Sequence, residues 1–428
     1  MSGKLDLVLR QARIAGAEDT LVDIAIDRGR IADIRPSIDT DAREEQLGGR
    51  IVFPGFVESH IHLDKSCLLE RCGNTRTLED AIGAVAAAKR DFTVEDVHAR
   101  GRRTLEKCIL QGTTRMRTHV EVDPRIGLRG FEAVGRLKKD FAWAIDVQIC
   151  VFPQEGLLND PGTDELLVQA IEDGADLIGG CPYTDSDPKG QIARIFELAG
   201  RFDLDIDFHL DFHLDPARMD LHEVCRQAKL HRRGGRVAVG HVSSLSAMDH
   251  ARLEPVAAML ADSGVALTVL PSTDLFLMGR ESAHSVPRGV APAHWFAERG
   301  VECSLATNNV LNPFTPFGDC SLLRMANLYA NIAQIGAPDE IARCFDMVTA
   351  GPARLLNLAD YGIAVGNPAD IVVLDAERSG LALAELAQPL FGLKRGRRTF
   401  SRPPATLHRP DHASDPGERP TASPVEVR

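Results

Sequence analysis

No two of the nine cysteines stand in a Cys-x-x-Cys spacing, which argues against both a disulfide framework and a thiolate zinc knuckle. An excess of positive charge is missing too. With 49 Lys and Arg against 61 Asp and Glu the formal charge is −12, and a pI near 5.6 speaks against nucleic acid or an anionic membrane as partner. No apolar run approaches membrane-spanning length, and the opening MSGKLDLVLRQARI puts charges inside what would be a signal core. No internal repeat is visible. These absences leave a reduced, cytoplasmic enzyme as the expectation. Hydrophobic residues at 44% and charged residues at 26% are ordinary for a globular chain. Its 428 residues suffice for one large α/β barrel with an appended lobe.

What is present begins with short alternating runs, LDLVL at 5–9, VDIAI at 22–26 and IADI at 31–34, which predict a small antiparallel β lobe. From residue 51 the texture changes to strands alternating with amphipathic helices. Eight strands are predicted: Ile51–His60, Thr113–Val122, Ala142–Phe152, Ala175–Cys181, Leu204–Asp211, Arg236–Val242, Val265–Pro271 and Glu302–Asn309. Eight βα repeats close naturally as a TIM-type (β/α)8 barrel, with its chemistry at the C-terminal strand ends. The expected division is 1–53 for the N-terminal part of the lobe, 54–358 for the barrel and 359–401 for a C-terminal return to the lobe. The Pro- and Ser-rich stretch 402–428 is expected to be a disordered tail. The fold class is therefore α/β, a barrel with a small β-sandwich lobe built from both chain ends.

The first barrel strand ends in His60 and His62. On a strand, an i, i+2 spacing puts both imidazoles on one face, where they can share a borderline-soft ion such as zinc or iron. A bare His-x-His is also compatible with two satisfied core histidines. Here the pair closes an apolar strand, Asp64 and Lys65 follow at once, and further histidines recur at later strand ends.

Six segments in order, GFVESHIHLDK (55–65), RTHVEV (117–122), FPQEG (152–156), DFH (207–209), GH (240–241) and LADYGI (358–363), resemble the amidohydrolase superfamily, and within it the cytosine deaminase-like branch. The similarity spans about residues 4–375. It implies a hydrolase acting on carbon–nitrogen bonds other than peptide bonds, with one divalent metal ion, zinc or iron, and a small nitrogen heterocycle as substrate. Deamination or removal of a substituted amine is the expected reaction. A cyclic amide, a urea or an N-alkylamino triazine is the alternative substrate, and a non-catalytic heterocycle-binding relative is the alternative role. The resemblance makes His60, His62 and His209 metal ligands and places His241 beside the water that the ion activates. Gln154 would hydrogen-bond the substrate, with Lys65, His119 and Asn309 as further pocket residues. No lysine ends strand four, so a carbamylated-lysine bridge between two metals is not expected. Relatives of this branch self-associate, which makes a homo-oligomer an expectation.

Two positions depart from the branch. Its proton-shuttling glutamate, three residues after the strand-five histidine, is Phe212 here. Asp211 can replace it if strand alternation points it the same way as His209; otherwise it caps the following helix. The strand-eight aspartate that binds the metal is Asn308, whose amide oxygen can coordinate but cannot accept a proton at neutral pH. Asp64 is read as a partner orienting His62 or as a helix cap. Segment 273–280 is read as a pocket wall in which Arg280 clamps substrate or forms an ion pair.

Overall fold

The structure, a computed structural model, describes residues 5–73 and 75–408. Strands β1 (Leu7–Ile14), β2 (Ala17–Asp27), β3 (Arg30–Arg35), β4 (Arg43–Gln46) and β5 (Ile51–Phe53) come from the N-terminal end of the chain. They form one eight-stranded sheet with β14 (Ile371–Leu374), β15 (Pro389–Lys394) and β16 (Arg397–Ser401), in the order β16-β15-β14-β5-β1-β2-β3 with β4 on β1. Leu7, Leu9, Ile24, Ile26, Val52, Ile371 and Val373 share its apolar core. The expected tail falls largely on residues 409–428, outside the described residues; 402–408 carry neither helix nor strand.

The barrel consists of β6 (Phe56–Ile61), β7 (Thr113–Glu121), β8 (Asp146–Phe152), β9 (Leu177–Gly180), β10 (Asp205–Leu210), β11 (Val237–His241), β12 (Val265–Val269) and β13 (Cys303–Leu305), paired in parallel in sequence order. The expected first strand Ile51–His60 is in fact two. Pro54 removes a ladder donor, and Gly55 takes φ +92, where a Cβ would lie 2.3 Å from Thr114 Cγ2. The chain breaks there, leaving β5 in the lobe and β6 in the barrel.

Between β6 and β13 no ladder forms. At the base a two-residue wedge fills the gap, with Val348 O accepting from Val57 N and Met347 O from Leu305 N. At the mouth the two lips meet directly: Asn308 N donates to His60 O at 2.8 Å and His62 N to Asn308 O at 3.0 Å. Helices cover the outside. The one over Val94–Leu110 starts at Thr93, whose side chain accepts from Asp96 N, and buries Val97, Leu105, Cys108 and Ile109 against the barrel. Among the described residues no helix is long and apolar enough to cross a membrane.

Candidate metal centre

Strand β6 delivers its two histidines through a bulge. Val57 packs inside the barrel base with Ala238 and Ala266, and Ser59 Oγ meets Ser304 Oγ at 2.9 Å, so Glu58 between them faces outward. Plain alternation would then turn His60 and His62 outward as well. The register against β7 slips between Glu58 and Ile61, and that extra residue flips the pair inward. Ile61 and Leu63 pass to the outer core instead.

The two imidazoles converge on the one that ends β10. His209 Nε2 lies 3.0 Å from His60 Nε2 and 3.0 Å from His62 Nε2. Burial, with the neighbouring histidines and, at His62, Lys65, holds all three well below the ordinary 6.5, so their nitrogens are neutral lone-pair donors. Two such nitrogens 3.0 Å apart suit a shared cation about 2.0–2.1 Å from each. Gly240 leaves room for this packing, since a Cβ there would sit 3.0 Å from His60 Cε1. His241 brings a fourth ring nitrogen, within 4.8 Å of those of His60 and His209. The donor set fits a single divalent ion.

His241 reaches the centre against strand alternation because its φ is +71 and that of Val242 is +45; a β-branched residue there is strained. Its Nδ1 is 2.6 Å from Asp274 Oδ1, and Phe212 stacks on its other side at 3.8 Å between centroids. Asp274 is fully buried and burial raises its carboxyl. The sequence reading put Asp274 in the pocket wall 273–280 but gave it no role: it lies in the first turn of the helix Pro271–Leu277, where an acidic residue reads as ordinary helix chemistry. Asn308, at φ +62, places Nδ2 3.5 Å from His241 Nε2 and leaves its buried Oδ1 without a partner among the described residues.

Asp211 must be corrected. Its φ of +46 takes it out of the strand, and its oxygens accept from Asp220 N at 2.8 Å and Leu221 N at 3.1 Å. It caps the helix Leu221–Leu230 instead of facing the histidines, although burial still pushes its carboxyl up to about 7. Asp211→Ala is accordingly expected to lower stability by about 1–2 kcal/mol in urea denaturation, with metal content unchanged.

Lys65 and Gln154 are each other's partners. Lys65 Nζ, buried, donates to Gln154 Oε1 at 2.9 Å and to Glu121 Oε1 at 2.7 Å, while Gln154 Nε2 contacts Cys181 Sγ at 3.3 Å. His119 is fully buried, stacks on His60 at 3.8 Å and sits 3.6 Å from Asp207 Oδ1, packed against the first ligand histidine. Asn309 Oδ1 accepts from Asn312 Nδ2 at 2.6 Å, so its amide oxygen braces the loop. Asp64 accepts from Glu121 N and remains 4.0 Å from His62 Nδ1. Arg280 donates to the carbonyls of Phe276 and Arg76 and forms no ion pair among the described residues.

Behind Lys65 lies a buried charge network. Lys89 Nζ is 2.7 Å from Glu121 Oε2, 2.5 Å from Asp123 Oδ2 and 2.5 Å from Glu155 Oε2, so an ammonium already fills this carboxylate cluster. Burial opposes charge on Asp123, yet Lys89 draws it down to about 2.

The profile of the amidohydrolase family matches residues 93–399. The chain belongs to that family. Within it the amidohydrolase falls in the cytosine deaminase-like branch, and it is a hydrolase acting on carbon–nitrogen bonds. It is 28% identical over 407 residues to the N-isopropylammelide isopropyl amidohydrolase of Pseudomonas sp. (strain ADP), covering 93% of this chain and 98% of the relative. It is also 28% identical over 385 residues to the pterin deaminase of Rhizobium rhizogenes, covering 88% and 87%. The structure of 5-methylcytosine deaminase from Klebsiella pneumoniae, liganded with 5-fluorocytosine, superposes with a TM-score of 0.90 at 29% identity, covering 95% of the amidohydrolase and 100% of that chain.

Proposed function

We propose that His60, His62 and His209 hold one divalent ion, zinc or iron, with Asn308 Oδ1 as a neutral fourth donor, and that the enzyme removes an amine from a small nitrogen heterocycle. The observation that carries this reading is the convergence of three Nε2 atoms beside a fourth histidine backed by a buried carboxylate. What such an ion supplies when bound is a water acidic enough to serve as nucleophile near neutral pH.

The chain's own residues handle the protons. With Nδ1 held toward Asp274, His241 presents Nε2 to the centre as the acceptor, and returns the proton from that atom to the departing amine. Because Nε2 accepts, Asn308 turns Nδ2 toward it, which leaves Oδ1 for the ion. This replaces the two missing carboxylates with one histidine–aspartate pair. Lys65 fixes Gln154 with its oxygen inward to the ammonium, since lysine can only donate. The pair therefore meets substrate with N–H groups, which suits a heterocycle bearing a carbonyl oxygen or an unprotonated ring nitrogen. The relatives named for N-isopropylammelide, pterin and 5-methylcytosine support that class.

The test is elemental analysis of protein purified without chelators, paired with ammonia or amine release from triazines, pterins and pyrimidines. The expected result is near-stoichiometric zinc or iron and turnover that chelation removes and metal restores. Turnover that survives complete metal removal would overturn the reading. A second expectation concerns Asn308. Exchanging the amide for a carboxylate in Asn308→Asp adds charge to a neutral ligand set and should tighten zinc binding by about 10-fold or more in chelator competition. Unchanged affinity would remove Asn308 from the ligand set.

A further inference from the structure

The ligand set just proposed is divided across the barrel seam, with His60 and His62 on one lip and Asn308 on the other. Among the described residues that seam has no β ladder to set its register; it is held by the wedge at the base, the Ser59–Ser304 hydroxyl pair and the crossed bonds at the mouth. Between base and mouth lies Glu58. Its carboxylate is fully buried, and Oε1 accepts from Thr307 N at 3.0 Å and from His60 N at 3.3 Å. One oxygen thus joins the residue before Asn308 to the first ligand histidine.

The His60 amide needs this partner because the bulge at Ser59–His60 takes it out of the ladder with β7, and a buried N–H without an acceptor is costly. Glu58 faces outward for the same reason that the histidines face inward: it lies on the other side of the extra residue. Its second oxygen, Oε2, is buried with no hydrogen-bond partner among the described residues, so the two amides are the hydrogen bonds this carboxyl group makes there. We propose that Glu58 is a positioning residue of the metal centre, an acceptor that closes the seam and sets the spacing between His60 and Asn308. The inference rests on the ligand assignment above, and its role is geometric: the acceptor atom matters and the side-chain length matters.

Two readouts on the full chain test it, the zinc dissociation constant by chelator competition and amide hydrogen exchange at His60 and Thr307. Glu58→Gln keeps an acceptor at the same reach and should bind zinc within about 3-fold of the unsubstituted protein. Glu58→Leu removes the acceptor, and Glu58→Asp, one methylene short, cannot reach both amides; each should weaken zinc binding by about 10–100-fold and speed exchange at His60 and Thr307. If the leucine variant fails to fold, the aspartate variant decides. Zinc binding as tight in Glu58→Asp as in the unsubstituted protein would overturn the proposal, as would a glutamine variant as weak as the leucine one. If the unsubstituted protein takes up neither zinc nor iron, the ligand assignment fails instead. The seam bridge is then judged by exchange alone: unchanged protection in Glu58→Asp refutes it, and lost protection upholds it.

Discussion

Asp274→Asn is expected to lower kcat by about 10³-fold or more, with zinc content and fold unchanged. Asp274 Oδ1 lies 2.6 Å from His241 Nδ1, and in the mechanism proposed above it accepts the proton on that nitrogen. An asparagine side chain can turn its NH2 toward that nitrogen, which then becomes the acceptor and moves the imidazole proton to Nε2. The histidine would face the centre with a donor where an acceptor is needed. KM should change little, because Asp274 touches the histidine and not the substrate. Steady-state kinetics with metal analysis of the same preparation is the measurement. A loss of kcat matched by a loss of metal would mark Asp274 as a structural support, and unchanged kcat would remove the His241–Asp274 pair from the mechanism.

Lys89→Met is the second large effect, expected on stability. Methionine fills the same volume without the ammonium that lies among Glu121, Asp123 and Glu155, and removing one partner of a buried ionic group costs about 3–5 kcal/mol. The sign of its pH dependence follows from the carboxylates. Burial works against all three; the lysines hold Glu121 below its ordinary range and Lys89 holds Asp123 at about 2. Burial and Glu121 instead push Glu155 up to about 7, so Glu155 runs with the opposite sign and Glu121 and Asp123 set the acid limb. A carboxyl depressed in the folded state contributes stability that is full above its unfolded pKa and is lost as pH falls through the folded one. The unsubstituted protein therefore loses this contribution as pH drops below about 4 toward 2, and the variant has none to lose. The gap between them should be widest near pH 7 and close in acid, as read by urea denaturation at pH 7 and pH 3. A gap as wide at pH 3 as at pH 7 would mean that packing, not charge, accounts for it.

The histidine spacing and the βα rhythm were legible in the sequence because both follow short periods. Eight barrel strands and the His60–His62 pair could be placed on that basis, while His209 was placed by the family resemblance. What failed did so where a single backbone angle cancels a period. Asp211 at φ +46, His241 at φ +71 and Asn308 at φ +62 each end a strand with a left-handed turn, and beyond it alternation no longer says where a side chain points. The expectation that Asp211 follows His209 into the site fell to that turn. The split of the first strand at Pro54–Gly55 was carried by two residues whose meaning was visible, yet the apolar run across them hid it. Asp274, and the pairing of Lys65 with Glu121 and Gln154, depend on contacts between distant segments for which spacing carries no signal.

The crossed backbone bonds at the barrel mouth have one more consequence, for the order in which the molecule comes into being. His60 and His62 lie on the first barrel strand and Asn308 follows the last, so the two sides of the pocket leave the ribosome at opposite ends of barrel synthesis. Contacts between residues so far apart in the chain form late in folding. A nascent chain can build its helices and most of its strands while the place for an ion is still open on one side. On the ligand set proposed above, a chain truncated before residue 308 would carry the three histidines but lack the fourth donor and the bonds that close the mouth.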